Sequence, residues 1–479
     1  MIDNQKQDAG EDVPLVVDLD GTLIRTDLLV ESFFALLTTS PLDALAALRH
    51  LGDKARFKAA VAKRALLDFH TLPLNEELVS WLHEEKAKGR RIYLASASTH
   101  AHVQAIADRV GLFDGIFAST PENNLAGAAK SAALCAAFGQ GGFDYAGNAA
   151  VDLAVWKDAR GVVVVDAAAG LLRTVKARHP DAQVITRKNT GLAEYRRVLR
   201  VHQWLKNLLI FVPAFTAHHF SFATLAACAA AFLSFSLCAS SVYILNDLLD
   251  LKSDREHPTK RWRPFAAGQV DILHGLFLLP LTLVGAGVIA LFLPWHFLLV
   301  LAGYYAVTMA YSLGVKRQPT LDVITLACLY GSRLVAGAAA TDVPLSSWLL
   351  TFSVFLFLSL ALVKRCSELR ARVLRGAAAP PRYAYRLDDL PILEMMAASN
   401  GTVAVLTFFL YLTSDTVAQL YSRPEVLWGT PVVLLYWIGR ILIKTHRGEM
   451  HDDPVLFAAK DRVSWICAGL IGLIMLTSI

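Results

Sequence analysis

The chain reads as two folds in series: a doubly wound α/β domain with a helical cap, then an all-α bundle of nine membrane-crossing helices. Three observations predict this. The 479 residues are 55% hydrophobic with a mean hydropathy of +0.44, too apolar for one soluble domain and long enough for two or three units. Charges run at ordinary soluble density to about residue 200 and then retreat into short loops between long apolar runs. In the first part, short valine-rich runs alternate with helical stretches, the pattern of a parallel sheet covered on both faces.

The opening MIDNQKQDAGEDVP is polar and acidic, without the basic start and apolar core of a secretory signal, so the first domain is expected to stay in the cytoplasm. Pro14 to Leu19 reads as a buried strand that delivers Asp18 and Asp20 to its carboxyl end, in the run Asp18-Leu19-Asp20-Gly21-Thr22. A second run, Arg91 to Ala95, ends in Ser96-Ala97-Ser98. A third, Phe143 to Ala146, leads into Gly147-Asn148 with Asp152 beyond it, and Gly161 to Asp166 makes a fourth. Between the first two strands, LVESFFALL and ALAALRHL have helical periodicity, which predicts a cap over about residues 25–90 that restricts access to Asp18.

Asp18-Leu19-Asp20-Gly21-Thr22, then Ser96, then Lys130 in LAGAAKSAAL, then the Asn148/Asp152 pair resemble, in that order, the haloacid dehalogenase (HAD) superfamily of phosphatases over residues 12–188. The resemblance implies a Rossmann-like HAD fold in which Asp18 is the nucleophile that forms an aspartyl-phosphate and Asp20 the acid/base for the leaving alcohol. It implies Ser96 and Lys130 on the phosphoryl oxygens, and magnesium held by Asp18, Asp20, Asn148 and Asp152. One attacking carboxylate, one proton carrier and one cation suit that chemistry. Asn148 departs from the pattern, because the superfamily commonly has aspartate there. The lost charge should weaken the metal, so an active hydrolase and a degenerate binding domain both stay open.

Residues 189–205 form a basic linker in which Tyr195, Leu199, Val201 and Trp204 interleave with arginines, suited to lie along an anionic leaflet. Over 206–479, nine candidate spans follow, near 206–220, 222–246, 273–293, 296–314, 321–340, 346–363, 393–413, 425–442 and 462–478. With the N-terminus inside, the outer loops hold only Arg423 and the other loop lysines and arginines fall inside. This predicts a multi-pass protein of the plasma (inner) membrane with a cytoplasmic N-terminal domain and the C-terminus outside.

The second span runs into Asn246 to Gly268, NDLLDLKSDREHPTKRWRPFAAG. Asn246, Asp250 and Asp254 are spaced by four and Asp247 and Asp250 by three, so on a continuing helix they largely share one face. That face is a hard-oxygen set suited to magnesium, which takes few protein carboxylates and lets phosphate oxygens complete its shell. Lys260, Arg261 and Arg263 add charge for the same phosphates. After the fourth span come Tyr311, Lys316 and Arg317, then Asp322 and Arg333 in the fifth, and Lys364, Arg365 and Glu368 closing the sixth. Ionisable groups at membrane depth are costly, which makes Asp322 and Arg333 site candidates. For Lys364 and Arg365, plain anchoring at the inner face is the competing explanation.

Two charged loop systems on a helical bundle resemble the UbiA superfamily of intramembrane prenyltransferases across residues 195–479. HQWLKNLLIFVP, DREHPTKRWRPFAAG, YSLGVKRQPTLDV, GSRLVAGAA and LVKRCSELR look most like its polyprenyl-phosphate phosphoribosyltransferase branch. The resemblance implies phosphoribosyl pyrophosphate as donor, a polyprenyl phosphate as acceptor, and Mg2+ on Asp247, Asp250 and Asp254 with help from Asn246. Asp322 would stabilise an oxocarbenium-like ribose. Lys260, Arg261, Lys316, Arg317 and Lys364 are candidates for the donor phosphates and Lys206 for the lipid phosphate, with Tyr311, Arg333 and Glu368 as further binding candidates. The fused HAD domain would then remove the 5-phosphate from the lipid-linked sugar.

Two other readings compete. One is a UbiA-type aromatic prenyltransferase that consumes polyprenyl diphosphate beside a HAD domain of separate or degenerate function. The other is a membrane scaffold or transporter, against which no inverted repeat is found. A net charge of +5 gives no nucleic-acid footprint. Six scattered cysteines without a C-x-x-C pair argue against a zinc site or disulfide frame. A homo-oligomer is left open.

Overall fold

The computed structural model describes residues 13–478 except 51, 53–55, 58–59, 62–66, 121–122, 187–190, 375–383 and 451–452. Parts of the cap and of the basic linker therefore lie outside the described residues. The chain divides into two compact units. One comprises Met1–Val198 with Ile244–Leu278, the other Leu199–Tyr243 with Leu279–Ile479.

In the first unit, β1 (Leu15–Asp18), β2 (Ile92–Thr99), β3 (Gly115–Ser119), β4 (Asp144–Gly147), β5 (Gly161–Val165) and β6 (Gln183–Ile185) form one parallel sheet in the order β3-β2-β1-β4-β5-β6. The four strands expected from sequence are present, and β3 and β6 complete the sheet. Because successive side chains face opposite ways, Leu15, Val17 and Leu94 enter one core while Val16, Ala95, Tyr145 and Val164 enter the other. β1 lies between β2 and β4, where the strand order reverses, and Asp18 is its last residue. Such a switch point opens a crevice at the strands' carboxyl ends.

After β1 the chain turns into helix α1 (Leu28–Thr39), the first cap element. Its first backbone N–H groups are satisfied by two carboxylates: Asp20 Oδ1 accepts from Leu28 N at 2.9 Å, and Asp27 Oδ1 accepts from Leu29 N and Val30 N. The loop that carries Asp20 thus also fixes where α1 begins.

Among the described residues seven helices are long and apolar enough to cross a membrane: Phe222–Leu249, Ile272–Ala290, Trp295–Leu313, Leu321–Thr341, Ser347–Val373, Leu387–Leu412 and Pro424–His446. An eighth arises if Pro454–Lys460 and Arg462–Ser478, bent by 84°, count as one span. The first expected span takes another form, a 3-10 helix over Val201–Phe211 followed by the short helix Val212–Thr216. Lys206 and Asn207 are buried in that 3-10 stretch and engage side chains of other elements, so its backbone follows tertiary contacts rather than the α-helical pattern.

Candidate active site

In the first unit the carboxyl end of β1 holds a dense polar cluster. Lys130 reaches from the helix Ala128–Phe138 so that Nζ lies 2.5 Å from Asp18 Oδ1 and also donates to Tyr145 Oη at 3.0 Å. Tyr145 in turn donates to Asp152 Oδ1 at 3.0 Å, and Asp152 Oδ2 accepts from the backbone N–H of Asn148 and Ala149. Both Asp152 oxygens are therefore engaged, and Asp152 anchors the Asn148 loop. Asp20 accepts from the hydroxyls of Ser96 at 3.2 Å and Ser98 at 3.4 Å. Ser96 is thus beside Asp20, and Ser98 is a neighbour that the sequence motif did not single out.

Burial pushes the Asp18 carboxyl up, Lys130 opposes this, and Asp152 and Asp20 add to it, leaving its pKa at about 7. A carboxyl raised in this way is stabilised by added positive charge. Asn148 Oδ1 is buried without a hydrogen-bond partner, although orphaned buried acceptors are uncommon. A Cβ at Gly21 would lie 2.2 Å from Asn148 Nδ2, and Gly21 has φ +74°, so glycine is required for this approach to the Asp18–Asp20 loop. An unpaired carbonyl oxygen and a charge-hungry carboxylate at one strand end fit a magnesium ion, with Asp18 and Asn148 as the residues that would hold it.

The same unit contains the Asn246 to Gly268 segment, and here the continuous-helix expectation fails. The long helix ends at Leu249, Asp250 (φ −97°, ψ 12°) leaves the helical path, and a new helix runs Leu251–Glu256. Asp247 and Asp254, both buried, converge on one nitrogen: Arg263 Nη1 donates to Asp247 Oδ1 at 3.1 Å and to Asp254 Oδ2 at 2.6 Å. Asn246 and Asp250 are half-buried, and the Asp250 N–H donates to the Asn246 carbonyl oxygen. Burial, only partly opposed by Arg263 and reinforced by Asp247, raises the Asp254 carboxyl above its ordinary range. Among the described residues no three His, Cys, Asp or Glu side chains converge on a common metal point. Two carboxylates around a single positive centre nevertheless fit magnesium, which takes only one or two when a phosphate supplies the rest. Lys260 is half-buried, and Arg261 is exposed with its guanidinium 5.0 Å from the Trp262 ring.

The next residue in that short helix, Arg255, makes a fork with Glu31 of α1: Nη1 to Oε2 at 3.0 Å and Nη2 to Oε1 at 2.6 Å. Thr26 Oγ1 donates to the same Glu31 at 2.8 Å, and Arg255 Nε donates to the Ala266 carbonyl oxygen at 3.1 Å.

The second unit holds two further clusters. Lys206 Nζ lies 2.8 Å and Lys364 Nζ 3.6 Å from Asp453 Oδ2, while Tyr330 Oη donates to both Asp453 oxygens. Asp453 was missed by sequence reasoning; it precedes Pro454 and also caps the helix Pro454–Lys460, a pattern that passes for simple capping. Burial pushes its carboxyl up, but the two lysines and Tyr330 hold it well below the usual range. In the other cluster Asp322 is fully buried, accepting from Arg365 Nε at 2.6 Å on one oxygen and from Tyr385 Oη at 2.6 Å on the other. The carboxylate expected beside a developing oxocarbenium is therefore already committed, and it orients Arg365, which also reaches Glu368 and the Tyr311 hydroxyl. Arg333 donates to Asn207 Oδ1 at 3.1 Å, with Phe235 and Tyr304 rings about its guanidinium. Lys316 and Arg317 sit in a 3-10 turn, Lys316 half-buried and Arg317 exposed.

A doubly wound α/β domain with a carboxylate at its switch point, continuous in sequence with a polytopic helical bundle rich in buried ion pairs, defines a two-part membrane protein with polar sites in both parts. The family profile described as the UbiA prenyltransferase family matches residues 208–460. The chain belongs to the UbiA prenyltransferase family. It is 36% identical over 468 residues to the y4nM protein of Sinorhizobium fredii, covering 96% of this chain and 90% of that one. Identity is 36% over 275 residues with nodulation protein NoeC of Azorhizobium caulinodans, covering 57% and 89% of the two chains. With decaprenyl-phosphate phosphoribosyltransferase of Mycolicibacterium smegmatis it is 39% over 276 residues, covering 56% and 86%.

Proposed function

We propose that the chain transfers a 5-phosphoribosyl group from phosphoribosyl pyrophosphate to a polyprenyl phosphate, and that its α/β domain then removes the 5-phosphate to leave polyprenyl-phosphoryl-ribose. The observation that carries this reading is the buried Asp247–Asp254 pair around a single positive centre, the arrangement a magnesium–diphosphate leaving group requires. The name of the Mycolicibacterium relative supplies the acceptor class and the group transferred.

When bound, magnesium would neutralise charge on the departing pyrophosphate. Asp247 and Asp254 would hold it, with Asn246 and Asp250 beside them at the helix break. Lys260 and Arg261, of the same segment, take the remaining diphosphate charge. An oxygen of the lipid phosphate forms the new bond to C1 as the bond to pyrophosphate breaks. This nucleophile is already an anion, so no general base is needed. Lys206 and Lys364 lie against one carboxylate, and their two ammonium groups suit the lipid phosphate. Asp322 would act by orienting Arg365, and Arg333 stays with Asn207 and the rings of Phe235 and Tyr304.

In the α/β domain, taken as residues 12–188 and HAD-like, an Asp18 oxygen attacks phosphorus and the ester oxygen leaves with a proton from Asp20. Water then cleaves the aspartyl-phosphate. Lys130 disperses charge on the transferring group while Ser96 and Ser98 hold Asp20. The membrane part, residues 206–479 after the linker 189–205, completes nine passes if Val201–Thr216 enters the bilayer, with the α/β domain cytoplasmic and the C-terminus outside. The basic inner loops support this orientation.

The test is an incubation of the full chain with labelled phosphoribosyl pyrophosphate, polyprenyl phosphate and magnesium. Wild type should give lipid-soluble pentose without the 5-phosphate, and Asp18→Asn should stop at the phosphorylated lipid. Absence of lipid-soluble label would overturn the transfer, and identical products from both proteins would overturn the hydrolysis.

A further inference from the structure

The residue next to Asp254 in sequence does not serve the diphosphate loop alone. Arg255 and Glu31 are almost fully buried, with side chains 6% and 4% exposed, and their forked ion pair joins the short helix Leu251–Glu256 to α1. Both ends of α1's first turn are spoken for. Its start is fixed by Asp20, which accepts from Leu28 N, and one turn on Glu31 takes Arg255. A second contact lies at the far end of the loop. Gly268 (φ +60°) sits so close to the cap that a Cβ there would come 2.7 Å from Arg25 Cβ and 3.1 Å from Pro73 Cγ. The segment that carries Asp254 and Arg263 is thus seated on the cap at two points.

We propose that Glu31 and Arg255 are positioning residues that couple the two sites of this unit, so that ordering the diphosphate loop also orders α1 and the Asp20 turn. The inference rests on reading the Asn246 to Gly268 segment as a magnesium–diphosphate site. The path is contiguous: Asp254 to Arg255 along one helix, Arg255 to Glu31 through two charge-assisted hydrogen bonds, Glu31 to Leu28 along α1, and Leu28 N to Asp20. Because coupling between sites is reciprocal, a phosphate ester held at Asp18 and Asp20 should also tighten the loop. A phosphatase whose substrate is made by the same chain would thereby be set in order when the transferase is loaded.

Hydrogen exchange on the full chain tests this without turnover. The Asp18→Ala/Lys130→Ala protein is used throughout, so that neither the carboxylate nor the cation at α1's own site holds the ligand, and the probe is magnesium with inorganic pyrophosphate. Exchange should slow at least tenfold in peptides from 246–268 and also in peptides from 28–39. Adding Arg255→Gln or Glu31→Gln should abolish the slowing in 28–39 and keep it in 246–268. Arg255→Lys, which keeps the charge but loses the fork, covers the case in which Arg255→Gln does not fold, and it should lose most of the α1 response. Protection of 246–268 with no change in 28–39, or an α1 response that survives all three substitutions, would overturn the coupling alone. No protection of 246–268 in any of the proteins would overturn the diphosphate reading and the coupling with it.

Discussion

Arg255 and Glu31 stand 224 residues apart in the chain and meet as a forked ion pair with both guanidinium nitrogens within 3.0 Å of the carboxylate. Burial of two full charges is expensive, and the expense is met only while both are present with their extra hydrogen bonds from Thr26 and to Ala266. Glu31→Ala should therefore destabilise the first unit by ~3–5 kcal/mol, because it leaves a buried guanidinium without its partner. The double variant Glu31→Met with Arg255→Met should recover most of that loss. Thermal unfolding in detergent, followed by exchange of the β1 and α1 peptides, separates the two outcomes.

At the strand end, Lys130 Nζ lies 2.5 Å from Asp18 Oδ1. Lys130→Ala should lower phosphatase kcat by ~10²-fold or more, since a preorganised charge at the transferring group is lost. Its effect on phosphoribosyl transfer should be small. Parallel assays of lipid labelling and phosphate release on one preparation would show whether the two activities part in this way.

Asn148 gives the opposite kind of experiment. Its buried Oδ1 has no partner and the amide lies against Gly21, so Asn148→Asp adds charge where a cation would sit without adding volume. The magnesium concentration for half-maximal phosphate release should fall by about tenfold. Gly21→Ala should act in reverse, because φ +74° and the 2.2 Å approach to Asn148 leave no room for a methyl group. An unchanged magnesium dependence in Asn148→Asp would remove Asn148 from the metal site.

Much of this was legible in the chain, for stated physical reasons. Strands such as Leu15–Asp18 and Gly161–Val165 are short valine-rich runs that only a buried parallel sheet accommodates, and their ends carry the polar residues. The helix break at Asp250 was not legible, since four-residue spacing describes an unbroken helix and nothing in NDLLDLKSD forces a stop. The partner of Lys206 was hidden for another reason. Asp453 lies 247 residues away and reads as a cap before Pro454, and sequence spacing carries no information about such long-range pairs. Glu31 did leave a trace, because one carboxylate in the apolar run LVESFFALL needs a partner, but the run does not say which.

Asp144 contributes to the acid limit of the α/β domain. Burial works to raise its pKa, but the hydrogen bonds from Arg160 and the charge of Arg90 outweigh it and hold the carboxyl below its ordinary value. A carboxylate depressed in the folded state binds its proton more readily when unfolded, so its stabilisation is fully present above the unfolded pKa of about 4 and is lost as pH falls through the folded value. Asp144→Asn should flatten that acid limb and leave stability less dependent on pH below about 4. Pulsed hydrogen exchange of β4 and β5 peptides across pH 2–6 would show a variant curve parallel to wild type if the pair had no such role.

In the membrane part, Lys206 and Lys364 compete for one carboxylate, Asp453, which Tyr330 also engages. The two ammonium groups lie against one carboxylate in a largely buried setting, with Glu368 one turn along from Lys364 on the same helix, and ionisable groups gathered at such depth are candidates for a ligand site. Lys206→Met removes one of the two ammonium groups while Lys364 still pairs with Asp453, so folding should survive. The KM for polyprenyl phosphate should rise by ~10-fold or more, since a charge-assisted hydrogen bond contributes ~1.5–3 kcal/mol, while the KM for phosphoribosyl pyrophosphate stays unchanged. Asp453→Asn should do the reverse, freeing both lysines and lowering the KM for the lipid at some loss of stability. If Lys206→Met raised the donor KM instead, the lysine pair would belong to the pyrophosphate side of the reaction, and the lipid phosphate would have to be held elsewhere.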